Sequence, residues 1–191
     1  MTQNNELVLR AKVFATAAHA AVGQVRKYSG EPYVVHPIEV AGIVSTVPHT
    51  PEMLAAALLH DVVEDTDITV ELINRMFGSE VAELVGWLTD VSKPEDGNRA
   101  IRKAMDREHS GQAPAAAQTI KLADLISNTK SITEHDPSFA ELYLDEKELL
   151  LELLTEGDRT LHARCVAQVE QGRIDLENLR VQQALQKMES Q

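Results

Sequence analysis

The chain has 191 residues, enough for one domain with a real core, and its 43% hydrophobic and 25% charged residues are the balance of a soluble globular protein. Aromatics are only 4%, so aliphatic side chains and alanine must fill the interior, which favours helices over a sandwich or barrel. A formal net charge of −12 argues against general binding to DNA, RNA or anionic membranes, and any phosphate-bearing ligand must meet a local basic patch or a metal ion.

Nearly every segment repeats at the helical period. Leu7, Ala11, Phe14, Ala18 and Val25 share one broad face and predict a first helix over about 5–25. The stretch 28–35 carries Gly30 and Pro32 and reads as a loop. Pro37 suits the first position of a second helix, which leaves His36 at its mouth beside free backbone donors. Thr50-Pro51-Glu52 places a capping hydroxyl, a proline and an acid at the start of a third helix that runs to about Glu64. Thr69 caps a fourth helix that Gly78 ends, and Ser79 starts a fifth with Val81, Leu84, Val85 and Leu88 on one face.

The stretch 92–114 is the least regular, with Pro94, Gly97, Gly111 and Pro114, and predicts a mobile arm with a short helix. It is either a solvated loop or, through Arg99, Arg102, Lys103 and Arg107, an electropositive flank for an anionic ligand. Helix resumes over about 115–133 and carries Asp124, and Asp136-Pro137 starts another that lasts until Gly157. The tail over 158–191 is helical again, with Leu161, Cys165 and Val169 at i, i+4 and i+8, and reads as a packing helix or a surface for homo-oligomer formation. No segment alternates at period two and no repeat is visible, so the expected fold is all-α. A lone cysteine, Cys165, allows no intrachain disulfide and suits a reducing cytoplasm. The first residues lack a basic-then-apolar signal pattern, and no apolar run approaches a membrane span, so a cytoplasmic protein with no membrane partner is expected.

The chemistry concentrates at LLHDVVEDT, residues 58–66. On a helix His60 and Glu64 stack on one face, and Asp61 and Asp65 form a second row about 100° round. Three acids this close repel one another unless a cation or protons intervene, which is the physical reason to suspect a metal. His36 is a second candidate ligand, and Asp124 a third, because an acid flanked by Ile120, Leu122, Ala123, Leu125 and Ile126 needs a reason to sit there. Two imidazoles and two carboxylates suit a borderline-to-hard divalent ion such as Mn²⁺ and leave room for water, unlike a closed structural zinc site. Such an ion would lower the pKa of its water and neutralise phosphate charge. Glu64 and Asp65, one turn after the ligands, are placed to position or deprotonate that water.

Four stretches carry a resemblance: GQVRKYSGEPYVVHP at 23–37, AALLHDVVEDT at 56–66, FGSEVAELV at 77–85 and IKLADLISN at 120–128. In this order they resemble the HD-domain hydrolases of the RelA/SpoT homologue family, specifically its small single-domain alarmone hydrolases, over roughly residues 10–155. The resemblance implies an HD-domain helical bundle of roughly eight to ten helices, a single domain over 1–191 with C-terminal helices at 158–190, and Mn²⁺ held by His36, His60, Asp61 and Asp124. It implies hydrolysis of the 3′-pyrophosphate of ppGpp-type nucleotides, releasing pyrophosphate, with Glu64 and Asp65 as the catalytic pair. For substrate contacts it suggests Arg26 against the base, Lys27 on phosphate, Ser29 and Tyr33 along the loop, and Asn128 and Ser131 on ribose and base, with Tyr143 as a further wall. Ala21 stands where the family has a histidine, Tyr28 is an extra loop residue, Leu125 replaces a basic residue and Ser127 a histidine or tyrosine, so an adenosine alarmone such as ppApp is an open alternative. A general HD-type phosphohydrolase of nucleoside 5′-phosphates or cyclic nucleotides is the competing reading. The net charge and motifs predict a small-molecule nucleotide partner and no nucleic acid.

Overall fold

The structure, a computed structural model, describes residues 3–189, and the side chains of Gln3, Asn4 and Lys130 lie outside that description. The described chain is helical throughout: α1 (Gln3–Ala21), α2 (Val35–Val44), α3 (Pro51–Leu59), the single turn α4 (Val62–Asp65), α5 (Val70–Phe77) and α6 (Ser79–Leu88). A 3-10 turn at Pro94–Asp96 leads into α7 (Arg99–Gln112), followed by α8 (Ala115–His135), α9 (Pro137–Leu151) and α10 (Arg159–Glu189). The only β pairing among the described residues is one antiparallel bridge, Val25 with Pro32, which closes the loop after α1.

The core is organised around α3. Ala55, Ala56, Ala57, Leu58 and Leu59 are all buried, so this helix is apolar on every side and is packed on by α1, α2, α6 and α8. The small residues matter for that packing. Ala11 and Ala15 of α1 are fully buried and let α1 approach α3 closely, while Phe14 meets Phe77 of α5 edge-on at 5.4 Å. On the other side α8 buries Ile120, Leu122, Ala123, Leu125 and Ile126, and α10 lies across α8 and α9. Gly172 of α10 permits that contact: a Cβ there would sit 3.2 Å from a methyl of Leu144.

Three elements end where local chemistry dictates. Thr50 and Thr69 accept hydrogen bonds from the backbone N–H of Met53 and Leu72, and Asp136 accepts from Phe139 N–H, as capping residues at all three expected starts. The first helix is shorter than its apolar face suggests, stopping at Ala21 rather than near Val25. Gly23 adopts φ +67°, its N–H donates to Ala20 O and Gln24 N–H donates to His19 O, the paired bonds of a left-handed helix stop. The second helix starts at Val35, so His36 stands inside its first turn rather than before it.

The stretch 92–114 departs most from expectation. Instead of an irregular arm it holds the fourteen-residue α7, capped by Asn98 and packed against α6, α8 and α9. Asp106 explains the order. Its buried carboxylate accepts from Val91 N–H, Ser92 N–H and the Ser92 hydroxyl, pinning the preceding segment to the helix.

Candidate metal centre and acid pair

The helix expected to run from Thr50 to Glu64 breaks at His60 and Asp61. Asp61 sits at φ −92°, ψ −7°, and α4 begins after it. This is the bridge region of backbone space, where active-site residues are often found. The break lets two adjacent side chains converge: His60 Nε2 lies 3.0 Å from Asp61 Oδ2.

His36 from α2 and Asp124 from α8 meet them there. His36 Nε2 is 3.1 Å from Asp124 Oδ1 and 3.6 Å from Asp61 Oδ2, and His60 Nε2 is 3.8 Å from Asp124 Oδ1. The ligand atoms of His36, His60 and Asp124 all lie within 4.8 Å of one another, and the three residues are buried. Asp61 adds a carboxylate facing both rings while accepting the Tyr33 hydroxyl at 2.7 Å.

Both histidines are oriented by what lies behind them. His60 Nδ1 is 2.8 Å from the carbonyl of Ala57, which can only accept, so Nδ1 carries a proton. His36 Nδ1 is 3.0 Å from Ser127 Oγ, and Ser127 donates its hydroxyl to Glu39 Oε2 at 2.8 Å. Because that hydroxyl proton is committed to Glu39, Ser127 accepts from His36 Nδ1–H. Each ring therefore turns an Nε2 lone pair toward the two carboxylates in its neutral form. His60 Nε2 is buried and makes no hydrogen bond at all. A buried lone pair without a donor, beside two carboxylates, fits a divalent cation held by His36, His60, Asp61 and Asp124.

The electrostatics agree. Burial works against a charge on Asp124, yet Lys121, His36 and His60 hold its carboxyl well below the usual range. Burial likewise opposes ionisation of Asp61, but the neighbouring His60 holds it at about 2. Burial disfavours a proton on His60, but Asp61 and Asp124 keep its basicity well above the ordinary value. The position between these groups thus attracts positive charge.

The acid pair lies at the rim. Glu64 is exposed to solvent, and its carboxylate accepts from Asp90 N–H. Burial and the nearby Asp90 carboxylate push it up to about 7. Asp65 accepts from Gln24 Nε2 at 2.9 Å, and Gln24 Oε1 in turn is 2.7 Å from Nδ1 of the buried His19. Burial raises the Asp65 carboxyl as well.

The expected substrate residues divide. Arg26 reaches the centre indirectly: its Nη1 donates to Asn128 Oδ1 at 3.4 Å, and Asn128 Nδ2 donates to Asp124 Oδ1 at 2.7 Å. Tyr33 lies between His19 and His36, with ring centroids at 4.8 and 5.9 Å. Lys27 is turned to Asp136 at 3.0 Å, and Ser29 Oγ accepts from Glu31 N–H. Ser131 lies partly exposed one turn beyond Asn128 on α8. Tyr143 is buried, its hydroxyl 3.4 Å from Thr129 Oγ1, so it backs α8 rather than offering an open wall. Glu39, Gln24, His19 and Lys121 also join the site, and the sequence does not single them out for it: His19 lies near Ala21, where the family has a histidine, but out of step with it. Of these only Gln24 and Lys121 stood inside the quoted motifs, and neither spacing nor polarity marked their partners.

The profile of the HD domain matches residues 11–145, a span that takes in all four metal-facing residues and the acid pair. A Synechocystis protein described as a probable guanosine-3′,5′-bis(diphosphate) 3′-pyrophosphohydrolase is 39% identical over 134 residues, which is 69% of this chain and 17% of that protein. A Vibrio cholerae protein described as guanosine-3′,5′-bis(diphosphate) 3′-pyrophosphohydrolase is 39% identical over 124 residues, 62% of this chain and again 17% of its own length. The chain thus spans about a sixth of these curated relatives. Among solved structures, a metazoan ortholog of SpoT described as hydrolyzing ppGpp superposes with a TM-score of 0.77 at 28% identity, covering 86% of this chain and 94% of that one. With the profile laid over the same histidines and aspartates that the helices bring together, the chain belongs to the HD-domain family.

Proposed function

We propose that this chain is a metal-dependent hydrolase that removes the 3′-pyrophosphate of alarmone nucleotides of the ppGpp type, giving pyrophosphate and GDP or GTP. The observation that carries the reading is the convergence of His36, His60, Asp61 and Asp124, with Glu64 and Asp65 following Asp61 in the next turn and fixed by Asp90 N–H and Gln24. The names of the Synechocystis and Vibrio relatives and of the metazoan structure support the substrate class. The mixed nitrogen and oxygen donor set suits a borderline-to-hard divalent ion, and we propose Mn²⁺.

When bound, the ion supplies Lewis acidity toward phosphate oxygens and a more acidic water. The protein supplies the rest. Glu64 accepts the proton of the attacking water, and its raised pKa matches a base working near neutrality. Asp65, fixed by Gln24, orients that water. A bond forms between the water oxygen and the phosphorus carried on the 3′-oxygen. The P–O3′ bond breaks with its electron pair going to O3′, which takes up a proton. Arg26, anchored on Asn128, offers a flat cation for the base, and guanine and adenine would both stack on it.

The test is a product analysis. Protein supplied with Mn²⁺ is incubated with ppGpp, with its adenosine counterpart and with nucleoside 5′-phosphates. Equal amounts of pyrophosphate and the nucleoside 5′-diphosphate are expected. Release of orthophosphate, or turnover of the 5′-phosphates alone, would overturn the proposal in favour of a general phosphohydrolase.

A further inference from the structure

A recess lies between α7, α8 and α9, and two of the residues that line it contact groups of the metal centre and acid pair. Asp90 lines it, and the Asp90 backbone N–H is the donor to Glu64. Lys121 also lines it, and its Nζ is 3.5 Å from Asp124 Oδ2. The other cations along its wall are Lys103, Arg107 and Lys147.

The recess has acids too, and their partners are decisive. Asp90 is taken by Lys103 at 2.7 Å. Asp106 is taken by the backbone and hydroxyl donors of 91–92, with Lys103 at 3.5 Å. Glu146 is clasped by both donors of Arg99, each at 2.8 Å. Once these pairs are made, Arg107 and Lys147 remain. Among the described residues neither has a carboxylate within 4.0 Å. Lys121 has Asp124 at 3.5 Å, a carboxylate whose charge a bound cation would share, with Asp90, Glu64 and Asp61 acting on it from farther off. Lys147 Nζ faces the ring of Tyr143 at 4.7 Å instead of an acid. Burial, then Lys121, push the Lys147 ammonium down to about 8. A protein with 30 acidic against 18 basic residues has kept two cations of one recess, Arg107 and Lys147, without a close acidic partner among the described residues.

Size narrows the ligand. The cavity volume is about 50 Å³, which at roughly 10–15 Å³ per water-sized sphere holds about four such spheres. That suits one tetrahedral oxyanion and is too small for a nucleoside.

We infer that the recess formed by Lys121, Lys147 and Arg107 is a phosphate subsite that holds the outer phosphate of the substrate's 3′-pyrophosphate group and of the pyrophosphate product. The inference rests on the hydrolase reading and deepens it: the inner phosphate lies at the metal centre, and the outer one is received beyond Asp124 and Glu64. Lys147 and Arg107 are then specificity-determining residues for pyrophosphate over monophosphate.

Calorimetric titration of the full chain with inorganic pyrophosphate, and separately with orthophosphate, tests this. The same excess of Mn²⁺ is present throughout, so that chelation is common to all samples. Lys147→Met keeps the packing stem and Arg107→Gln keeps a polar side chain; circular dichroism and melting check each fold. Each variant is expected to weaken pyrophosphate binding about tenfold, the effect of losing one charge-assisted hydrogen bond, with little change for orthophosphate. Unaltered pyrophosphate binding in either folded variant would overturn the assignment. So would equal affinity for both anions with equal loss in the variants, which would make the recess a free-phosphate site. The two readings fail separately: absence of pyrophosphate release from ppGpp removes the activity, whereas indifference of pyrophosphate binding to Lys147 and Arg107 removes the subsite.

Discussion

Ser127→Ala isolates one link in the metal centre. In the native arrangement Glu39 fixes the Ser127 hydroxyl, and Ser127 fixes His36 Nδ1–H, so that Nε2 faces Asp124 and Asp61. Without metal the variant has an escape. His36 can shift its proton to Nε2 and donate to Asp124 Oδ1, which is already 3.1 Å away, leaving only an acceptor unpaired at Nδ1. A bound cation closes that route, because Nε2 must then present its lone pair and Nδ1–H is left buried without a partner. The cost therefore appears on metal binding. An unsatisfied buried donor costs about 1–3 kcal/mol. This agrees with the about 10- to 100-fold loss of metal affinity typical when a group behind a metal ligand is removed, or roughly 1.4–2.8 kcal/mol. Titration of wild type and variant with Mn²⁺ against a competing chelator reads the affinity, and thermal melts without metal read the fold. Weaker metal binding with a nearly unchanged metal-free melt is expected. Equal metal affinity in the two proteins would refute the reasoning, since His36 would then be held by something other than Ser127.

Glu64→Gln should retain metal and lose about 10²- to 10⁴-fold in kcat, the usual contribution of a positioned base, while a change of only a few-fold would exclude Glu64 from that role. Its raised pKa gives the sign of the pH dependence: only the ionised carboxylate accepts a proton, so kcat/KM should fall as pH drops through about 7 and below, and the Gln variant should lack that limb. Gln24→Leu should cut turnover by freeing Asp65 and should also lower stability by about 1–3 kcal/mol in a denaturant melt, because His19 loses its buried partner. Chelation should abolish activity and lower the melting temperature, and added Mn²⁺ should restore both, activity saturating as the site fills and the melt rising with the logarithm of free Mn²⁺; a melt insensitive to Mn²⁺ would argue against the four-residue site.

Much of this was legible because it is local. The caps at Thr50, Thr69 and Asp136 are signalled within four residues, and the structure has them where the sequence does. The charged face at 60–65 and the acid buried in an apolar run at 124 are also local contradictions, and the structure brings His60 Nε2 within 4 Å of both Asp61 and Asp124. What escaped depends on distant partners. Glu39 is an ordinary exposed acid on α2 until Ser127, 88 positions later, is brought against it. Gln24 looks like a loop residue until α4 delivers Asp65 to it. The stretch 92–114 was misread because its glycines and prolines dominate the pattern, whereas the order of α7 comes from Asp106 gathering donors at 91–92.

The most consequential feature hidden from the sequence is the break after Leu59. In a continuous helix, neighbours such as His60 and Asp61 point about 100° apart and do not face each other. One ion could then draw on either of them but not readily on both. The apolar period of Leu54, Ala57, Leu58 and Val62 runs straight through and gives no warning. Asp61 leaves helical geometry at ψ −7°, and its carboxylate comes within 3.0 Å of His60 Nε2 and within 2.7 Å of the Tyr33 hydroxyl. The same break restarts the chain as α4, which carries Glu64 to the backbone of Asp90 and Asp65 to Gln24. The placement of His60, Asp61, Glu64 and Asp65 is therefore set by one local departure from the helix. The break is held by the apolar packing of α3 on one side and by the hydrogen bonds of Asp61, Glu64 and Asp65 on the other.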